Sequence, residues 1–290
     1  MKKGVNAWCF PGNVTIRQCM EVASKAGFDG LELNLNESKS EFASKEATVS
    51  KTDLYDVLVL SMESPTEEIQ LIKEMAEQYK IDIPSVSTDL FWKYPLTSND
   101  TNVRTKAMEI VKKMIDSAKI LGADTVLVVP GLVDEEVSYK TAYDRSLECF
   151  LELRKYAEEK EIHIGVENVW NKFLMSPLEM RSFIDKINSP FVGTYFDVGN
   201  VLNFSYPEYW IEILSDTIRK VHVKDFKTSI GNITGFTSLL EGDVNWIKVI
   251  EAFRKVGYDG YLTAELTPYR LFPEELIIST SKALDKIIHS

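Results

Sequence analysis

The stretch VGYDGYLTAEL (Val256–Leu266) carries a helix end, a turn and a strand in unbroken succession. Gly257 stands where a helix closes in the left-handed cap conformation, which a side chain without Cβ adopts most easily. After the turn, Leu262, Ala264 and Leu266 fall on one face of an extended segment and Thr263 and Glu265 on the other, because successive strand side chains point to opposite faces. The same punctuation recurs at Ala26-Gly27-Phe28-Asp29-Gly30 and at Leu121-Gly122-Ala123-Asp124, each time ahead of a β-rich run. These are weak echoes of one repeated helix–turn–strand unit and are not binding motifs.

Working outward, short β-rich runs alternate with amphipathic stretches along the whole chain. The expected strands are Gly4–Trp8, Gly30–Asn34, Ile83–Asp89, Thr125–Gly131, His163–Asn168, Val192–Asp197, Lys220–Asp225 and Gly260–Leu266. Helix-like segments begin near Thr15, Thr66, Val103, Tyr139, Pro177, Glu208 and Asn245, and a last one runs from Pro273 to His289. Eight strand–helix units in 290 residues fit a parallel barrel, whose usual length is about 250 residues plus insertions. The expectation is an α/β fold, a (β/α)8 TIM barrel occupying residues 1–290 as one domain. A doubly wound open sheet is the competing arrangement, but no GxGxxG follows the first strand.

Composition narrows the function. The chain is 44% apolar and 27% charged, with net charge −11 and a pI near 5.0. That balance argues against nucleic acid as partner, since phosphate-backbone binders carry a basic footprint. Cys9, Cys19 and Cys149 are odd in number and form no CxxC pair, as expected of reduced structural thiols in the cytoplasm. Lys2 and Lys3 precede a stretch broken by Pro11 and Gly12, too short for a signal-peptide core. No run approaches the roughly 18 apolar residues of a membrane span. The cytoplasm is the expected compartment, with no membrane partner, and a homo-oligomer stays open. Two connections exceed plain linkers: Asn36 to Pro65, with an apolar patch at Tyr55–Leu60, and Phe226 to Asp243. Loops of that length tend to be lids or disordered.

Strand parity then sorts side chains. Leu31 and Leu33, Ile164 and Val166, Val221 and Val223, Leu262 and Ala264 make an apolar, helix-facing set. The opposite parity places Glu167, Asp197, His222, Lys224 and Glu265 inside, near the C-terminal ends of four successive strands. Three converging carboxylates are costly to desolvate unless compensated, and Lys224 supplies only one charge. A single divalent cation held by Glu167, Asp197, His222 and Glu265 resolves this. Oxygen-rich with one imidazole, the set suits Mn²⁺ best and also accepts Mg²⁺, Co²⁺ or Zn²⁺. The competing reading is a metal-free ion-pair network around Lys224.

The motifs GVEN (Gly165–Asn168), FDVGN (Phe196–Asn200), VHVKD (Val221–Asp225), EGDVNW (Glu241–Trp246) and GYLTAEL (Gly260–Leu266), with AGFDGLEL (Ala26–Leu33), span nearly the whole chain in this order. Together they resemble the xylose isomerase-like barrels, a superfamily of sugar isomerases and epimerases that includes endonuclease IV. The resemblance implies that Glu167, Asp197, His222 and Glu265 ligate one metal and that Glu167 and Glu265 form the acid–base pair. Endonuclease IV holds three metals with several histidines, whereas this chain has His163, His222 and His289 alone. Glu167–Ser176, Asp197–Asn200 and Tyr94–Ser98 look like the branch of L-ribulose and L-xylulose 5-phosphate 3-epimerases. Phosphate-using members carry His/Arg before the Tyr-Pro pair, and here Leu90, Phe91, Trp92 and Lys93 stand there instead.

The chemistry implied is proton abstraction beside a carbonyl, with a small-molecule sugar as substrate. Return of the proton to the opposite face is 3-epimerisation of a ketose, free or phosphorylated. Return to the neighbouring carbon is aldose–ketose isomerisation, and a dehydratase, a lyase or a non-catalytic sugar-binding barrel are further alternatives. Lys224 either contacts a substrate oxygen or balances the carboxylates. Glu32 and Asn200 are candidates for substrate hydroxyls, and Trp8, Trp92 and Trp170, following strands one, three and five, for an apolar wall. Arg270, after strand eight, is the candidate cation for a phosphate.

Overall fold

The computed structural model describes residues 1–39 and 58–290. Strands β1 (Lys2–Asn6), β2 (Gly30–Asn34), β3 (Ser85–Ser87), β4 (Thr125–Val128), β5 (His163–Glu167), β6 (Val192–Asp197), β7 (Ile218–Val223) and β8 (Tyr261–Ala264) close a barrel. Every neighbouring pair is parallel and β8 pairs with β1. The helices that return the chain are α1 (Ile16–Lys25), α2 (Thr66–Tyr79), α3 (Thr101–Leu121), α4 (Tyr139–Lys160), α5 (Pro177–Ile187), α6 (Pro207–Leu214), α7 (Trp246–Lys255) and α8 (Pro273–Ile288). The expected (β/α)8 architecture is therefore the observed one.

Gly27, Gly122 and Gly257 all take positive φ after α1, α3 and α7, as the repeated punctuation requires. After α2, α4 and α5 the same left-handed turn is made by Lys80, Glu161 and Asn188. The unit recurs there too, but without the glycine that makes it visible in sequence.

Several strands end earlier than expected. β1 stops at Asn6, where the Asn6 side chain caps a short turn at Ala7–Cys9. β7 stops at Val223 and β8 at Ala264. Lys224 and Glu265 thus directly follow the last strand residues, with Glu265 N–H still donating to Val223 O at 3.2 Å.

The apolar parity packs outward as expected. Leu31, Leu33, Ile164, Val166, Phe196, Val221 and Leu262 are all buried, each such side chain contributing about 1.5–3 kcal/mol. Phe196 stacks on Trp210 of α6 at 6.2 Å and meets Phe253 of α7 edge-on at 6.4 Å.

The long connection after β7 is folded. Asp225–Phe226 pairs antiparallel with Phe236–Thr237, and the Asp225 carboxylate gathers the rest. It accepts the backbone N–H groups of Phe226, Leu240 and Val244 and the Trp246 indole N–H, at 2.9–3.1 Å. Gly242 is required here, since a Cβ would lie 2.2 Å from Asp225 Oδ1. Of the connection after β2, residues 40–57 lie outside the described residues. The described end of its apolar patch, Leu58–Leu60, is buried. Among the described residues no helix is long and apolar enough to cross a membrane.

Candidate metal centre and active site

Four strands deliver four ligand-type side chains to one point. Glu167 ends β5, Asp197 ends β6, His222 lies one residue before the end of β7, and Glu265 follows β8. Asp197 and His222 are register partners across β6 and β7. One ligand atom from each of Glu167, Asp197, His222 and Glu265 lies within 4.8 Å of all the others. The sequence-derived quartet is one cluster, at the floor of the barrel mouth.

Below it, Glu32 is fully buried and accepts four hydrogen bonds: from Asn6 Nδ2 at 2.5 Å and from Ser85 Oγ, Tyr195 OH and His222 Nε2, each at 2.6 Å. Burial alone would raise its carboxyl, but His222, Ser85 and Tyr195 outweigh that and hold it below the usual carboxylate range. Glu32 was expected to reach substrate hydroxyls, and the structure corrects this. It lies in the layer beneath the ligands with both oxygens engaged, where a sugar has no access.

With Nε2 tied to Glu32, His222 turns Nδ1 toward Glu167 Oε1 at 3.2 Å and Glu265 Oε2 at 3.7 Å. Desolvation works against a charged ring, yet the charges of Glu32 and Glu265 and the contact with Glu167 hold its pKa well above the ordinary histidine value. The carboxylates diverge. Glu167 is pushed up to about 7, first by burial and then by the charges of Glu265 and Asp197. Asp197 is raised for the same first reason. Glu265 is lowered, since Lys224 and His222 overcome its burial.

These residues fit a divalent ion on three observations. Asp197 Oδ2 is buried and makes no hydrogen bond, although the Lys224 ammonium stands 3.0 Å away. His222 has Nε2 held by the Glu32 carboxylate behind it and Nδ1 turned toward the carboxylates of the cluster, the usual support of a metal-binding imidazole. Three carboxylates and one imidazole form the donor set of a hard or borderline dication.

Above the cluster opens a cavity of about 700 Å³. Its walls include Trp8, Trp92, Trp170, Asn200, Lys224, Glu167 and Glu265, together with Phe236, Glu241 and Tyr269. The three tryptophans thus face one space. Trp170 packs against Phe226 and Phe236 at 5.5 and 5.1 Å and donates its indole N–H to Asn200 O at 2.7 Å. Asn200 donates its amide to Asn168 O, and Asn168 clamps the Asp197 backbone from both sides. Lys224 lies 2.5 Å from Glu265 Oε2 and 5.0 Å above the Phe236 ring, and its pKa is raised because the Asp197 and Glu265 charges outweigh desolvation. Arg270 is exposed and does not line the cavity.

Asn168, Phe236, Glu241 and Tyr269 escaped the sequence reading. The first sits inside the quoted GVEN motif and opens no charge pattern of its own. Glu241 likewise opens the quoted EGDVNW motif, and Phe236 and Tyr269 come from connections where periodicity carries no signal.

Comparison with known proteins fits this geometry. A family model described as a xylose isomerase-like TIM barrel matches residues 20–287. A Haemophilus influenzae protein provisionally named L-ribulose-5-phosphate 3-epimerase SgbU is 24% identical over 91% of this chain and 88% of its own length. L-ribulose-5-phosphate 3-epimerase UlaE of Salmonella paratyphi A is 23% identical over 91% of this chain and 86% of its own. A crystal structure of a D-tagatose 3-epimerase-like protein superposes with a TM-score of 0.78 at 23% identity, over 100% of this chain and 97% of that one; this last likeness is one of fold.

Proposed function

The chain belongs to the xylose isomerase-like TIM barrel family, and from that premise we propose that it is a divalent-metal-dependent 3-epimerase of ketose sugars. The observation that carries the reading is the convergence of Glu167, Asp197, His222 and Glu265 within 4.8 Å beneath a sugar-sized cavity. Relatives over nine-tenths of the chain bear 3-epimerase names.

Glu167, Asp197, His222 and Glu265 would hold the ion, with Mn²⁺ the best match to the donor set. Bound there, it supplies Lewis-acid polarisation of a carbonyl and its neighbouring hydroxyl. Glu167 and Glu265 stand on β5 and just past β8, strands separated in the barrel by β6 and β7, and so approach the cavity from different sides. One carboxylate takes the proton from the carbon beside the carbonyl, giving an enediolate, and the other returns a proton to the opposite face, inverting that carbon. Such positioned acid–base groups typically contribute about 10²–10⁴-fold. Glu167 and Glu265 both line the cavity, so each carboxylate can meet the substrate carbon there. Lys224, beside Glu265, balances the carboxylates and faces the substrate space. Trp8, Trp170 and Phe236 line the space in which the enediolate forms.

The test is solvent exchange: ketoses incubated with the protein and Mn²⁺ in D₂O and followed by NMR. Deuterium entering C3, with appearance of the C3 epimer, supports the reading. Exchange that yields an aldose instead moves the protein to the isomerases. No exchange with any free or phosphorylated pentulose or hexulose removes the enzymatic reading.

A further inference from the structure

We propose that this cavity selects neutral ketoses over their phosphate esters. The inference rests on the ketose reading above and narrows it, in a direction opposite to the substrate in the names of the curated relatives.

The charge on the walls is the first argument. Among the described lining residues Lys224 is the one cation, against Glu167, Glu241 and Glu265. Its ammonium is already engaged, 3.0 Å from Asp197 Oδ2 and 2.5 Å from Glu265 Oε2. A dication and Lys224 together neutralise the three ligand carboxylates, Glu167, Asp197 and Glu265. Glu241 then leaves the space with an excess negative charge, which repels a phosphate dianion and is indifferent to a hydroxyl. Lys93 is paired with Glu37 at 2.5 Å and lies off the lining, as does Arg270.

Backbone geometry is the second. Phosphate is usually cradled by arginine forks, by clustered backbone N–H groups or by a helix N-terminus. In eight-stranded parallel barrels the connections after strands seven and eight commonly provide that cradle. Here the connection after β7 brings Glu241, an exposed acid, onto the cavity lining, its carboxylate accepting the Thr237 hydroxyl at 2.8 Å. The connection after β8 contributes Leu266, Thr267, Pro268 and Tyr269, and Pro268 has no N–H to offer. The single helical turn at Val198–Val201 has its N-terminus capped by the Asp197 carboxylate, which accepts Asn200 N–H at 2.9 Å. Among the described residues, the connections after β7 and β8 and the turn at Val198–Val201 thus offer an acid, a proline and an already bonded N-terminus rather than a cationic cradle. The rest of the described lining pairs aromatic surface from Trp8, Trp92, Trp170 and Phe236 with uncharged hydroxyls of Thr88, Ser238 and Thr267, which suits the C–H faces and hydroxyls of an uncharged sugar.

The experiment titrates the Mn²⁺-loaded protein with matched pairs, L-ribulose against L-ribulose 5-phosphate and D-fructose against D-fructose 6-phosphate. Binding is read from tryptophan fluorescence and calorimetry, and C3 exchange is followed in parallel. The free ketose of at least one pair should bind more tightly than its ester by about tenfold or more, a modest discrimination in free energy. Inorganic phosphate should not compete with it. Tighter binding of the esters, competition by phosphate, or binding of neither member overturns the inference. Preferential binding of the free sugars without exchange upholds it while removing the epimerase reading. In Glu241→Lys the preference should narrow markedly, and an unchanged ratio would refute the role given to the wall charge.

Discussion

His222 Nε2 lies 2.6 Å from Glu32 Oε1, and that contact fixes which nitrogen the ring presents to Glu167, Asp197 and Glu265. The buried acid is thus a positioning residue for a ligand rather than a ligand itself. Losing such a support typically lowers metal affinity about 10–100-fold. In Glu32→Gln, Mn²⁺ affinity measured by calorimetry should fall within that range. The amide would also meet three donors built for a carboxylate, from Asn6, Ser85 and Tyr195, so the melting temperature should drop as well. Unaltered Mn²⁺ affinity would show that the imidazole needs no anchor.

Glu167→Gln and Glu265→Gln separate charge from shape at the two proposed acid–base positions. Assayed at saturating Mn²⁺, each should slow C3 exchange by about 10²-fold or more with an unchanged far-UV spectrum. Exchange retained at the wild-type rate in either variant would strip that residue of its role.

The buried quartet makes the metal-free protein sensitive to pH, and the sign follows from the direction of each shift. Glu167 is raised to about 7 and Asp197 is raised too. An acid whose folded pKa exceeds its unfolded value stabilises the fold below the unfolded value and loses that contribution as pH climbs toward the folded one. His222, also raised, acts in the same sense above its ordinary value of 6.5. Glu32 and Glu265 are lowered and act below the ordinary glutamate range instead. In EDTA, stability should therefore decline from about pH 5 to pH 8. A dication binds the deprotonated site, adding about 4 kcal/mol at roughly 1,000 times Kd, so the melting-temperature gap between Mn²⁺-loaded and metal-free protein should widen as pH rises. A gap that narrows over this interval would contradict the assigned ligands.

How much of this was legible in sequence follows from what parity can and cannot encode. Alternation along β5, β6, β7 and the Gly260–Leu266 run placed Glu167, Asp197, His222 and Glu265 inside. Parity sorts inside from outside but is silent on depth. Glu32 shares the ligands' side of the barrel yet lies one layer lower, because the stagger of β2 against β7 is a property of the closed sheet. The Phe236–Glu241 wall has no period to read. Its trace in sequence is the EGDVNW motif, which marks the turn that Asp225 organises.

All three thiols are buried and unpaired. Burial pushes Cys9 up to about 12 and Cys149 up to about 11, and raises Cys19 as well. Cys9 Sγ is further held between Ala264 O and Leu266 N–H. Since the thiolate is the reactive form, on the order of one part in 10³ or less is available at pH 8. A chromogenic disulfide reagent should label none of them in the native protein within minutes and all three in guanidinium. Fast labelling of Cys9 in the folded protein would mean that the contact between β1 and the chain leaving β8 opens readily.

The wall after β7 stands on one carboxylate, and Gly242 is the point where it can be unseated. A methyl group there would lie 2.2 Å from Asp225 Oδ1 and 2.6 Å from Phe226 N, both fixed, so the connection itself must move in Gly242→Ala. Asp225 lies beyond the end of β7, which leaves the barrel ladder untouched and the far-UV spectrum unchanged. The bonds from Leu240, Val244 and Trp246 would lengthen or break, and an incompletely paired buried carboxylate costs about 1–3 kcal/mol or more. The melting temperature should fall. Because Phe236, Thr237, Ser238 and Glu241 line the cavity on this connection while the quartet stands on β5, β6, β7 and the residue after β8, KM for the ketose should rise more than kcat falls, and Mn²⁺ affinity should hold. Loss of Mn²⁺ binding in Gly242→Ala, with KM unaltered, would mean that the wall braces the metal floor rather than the sugar.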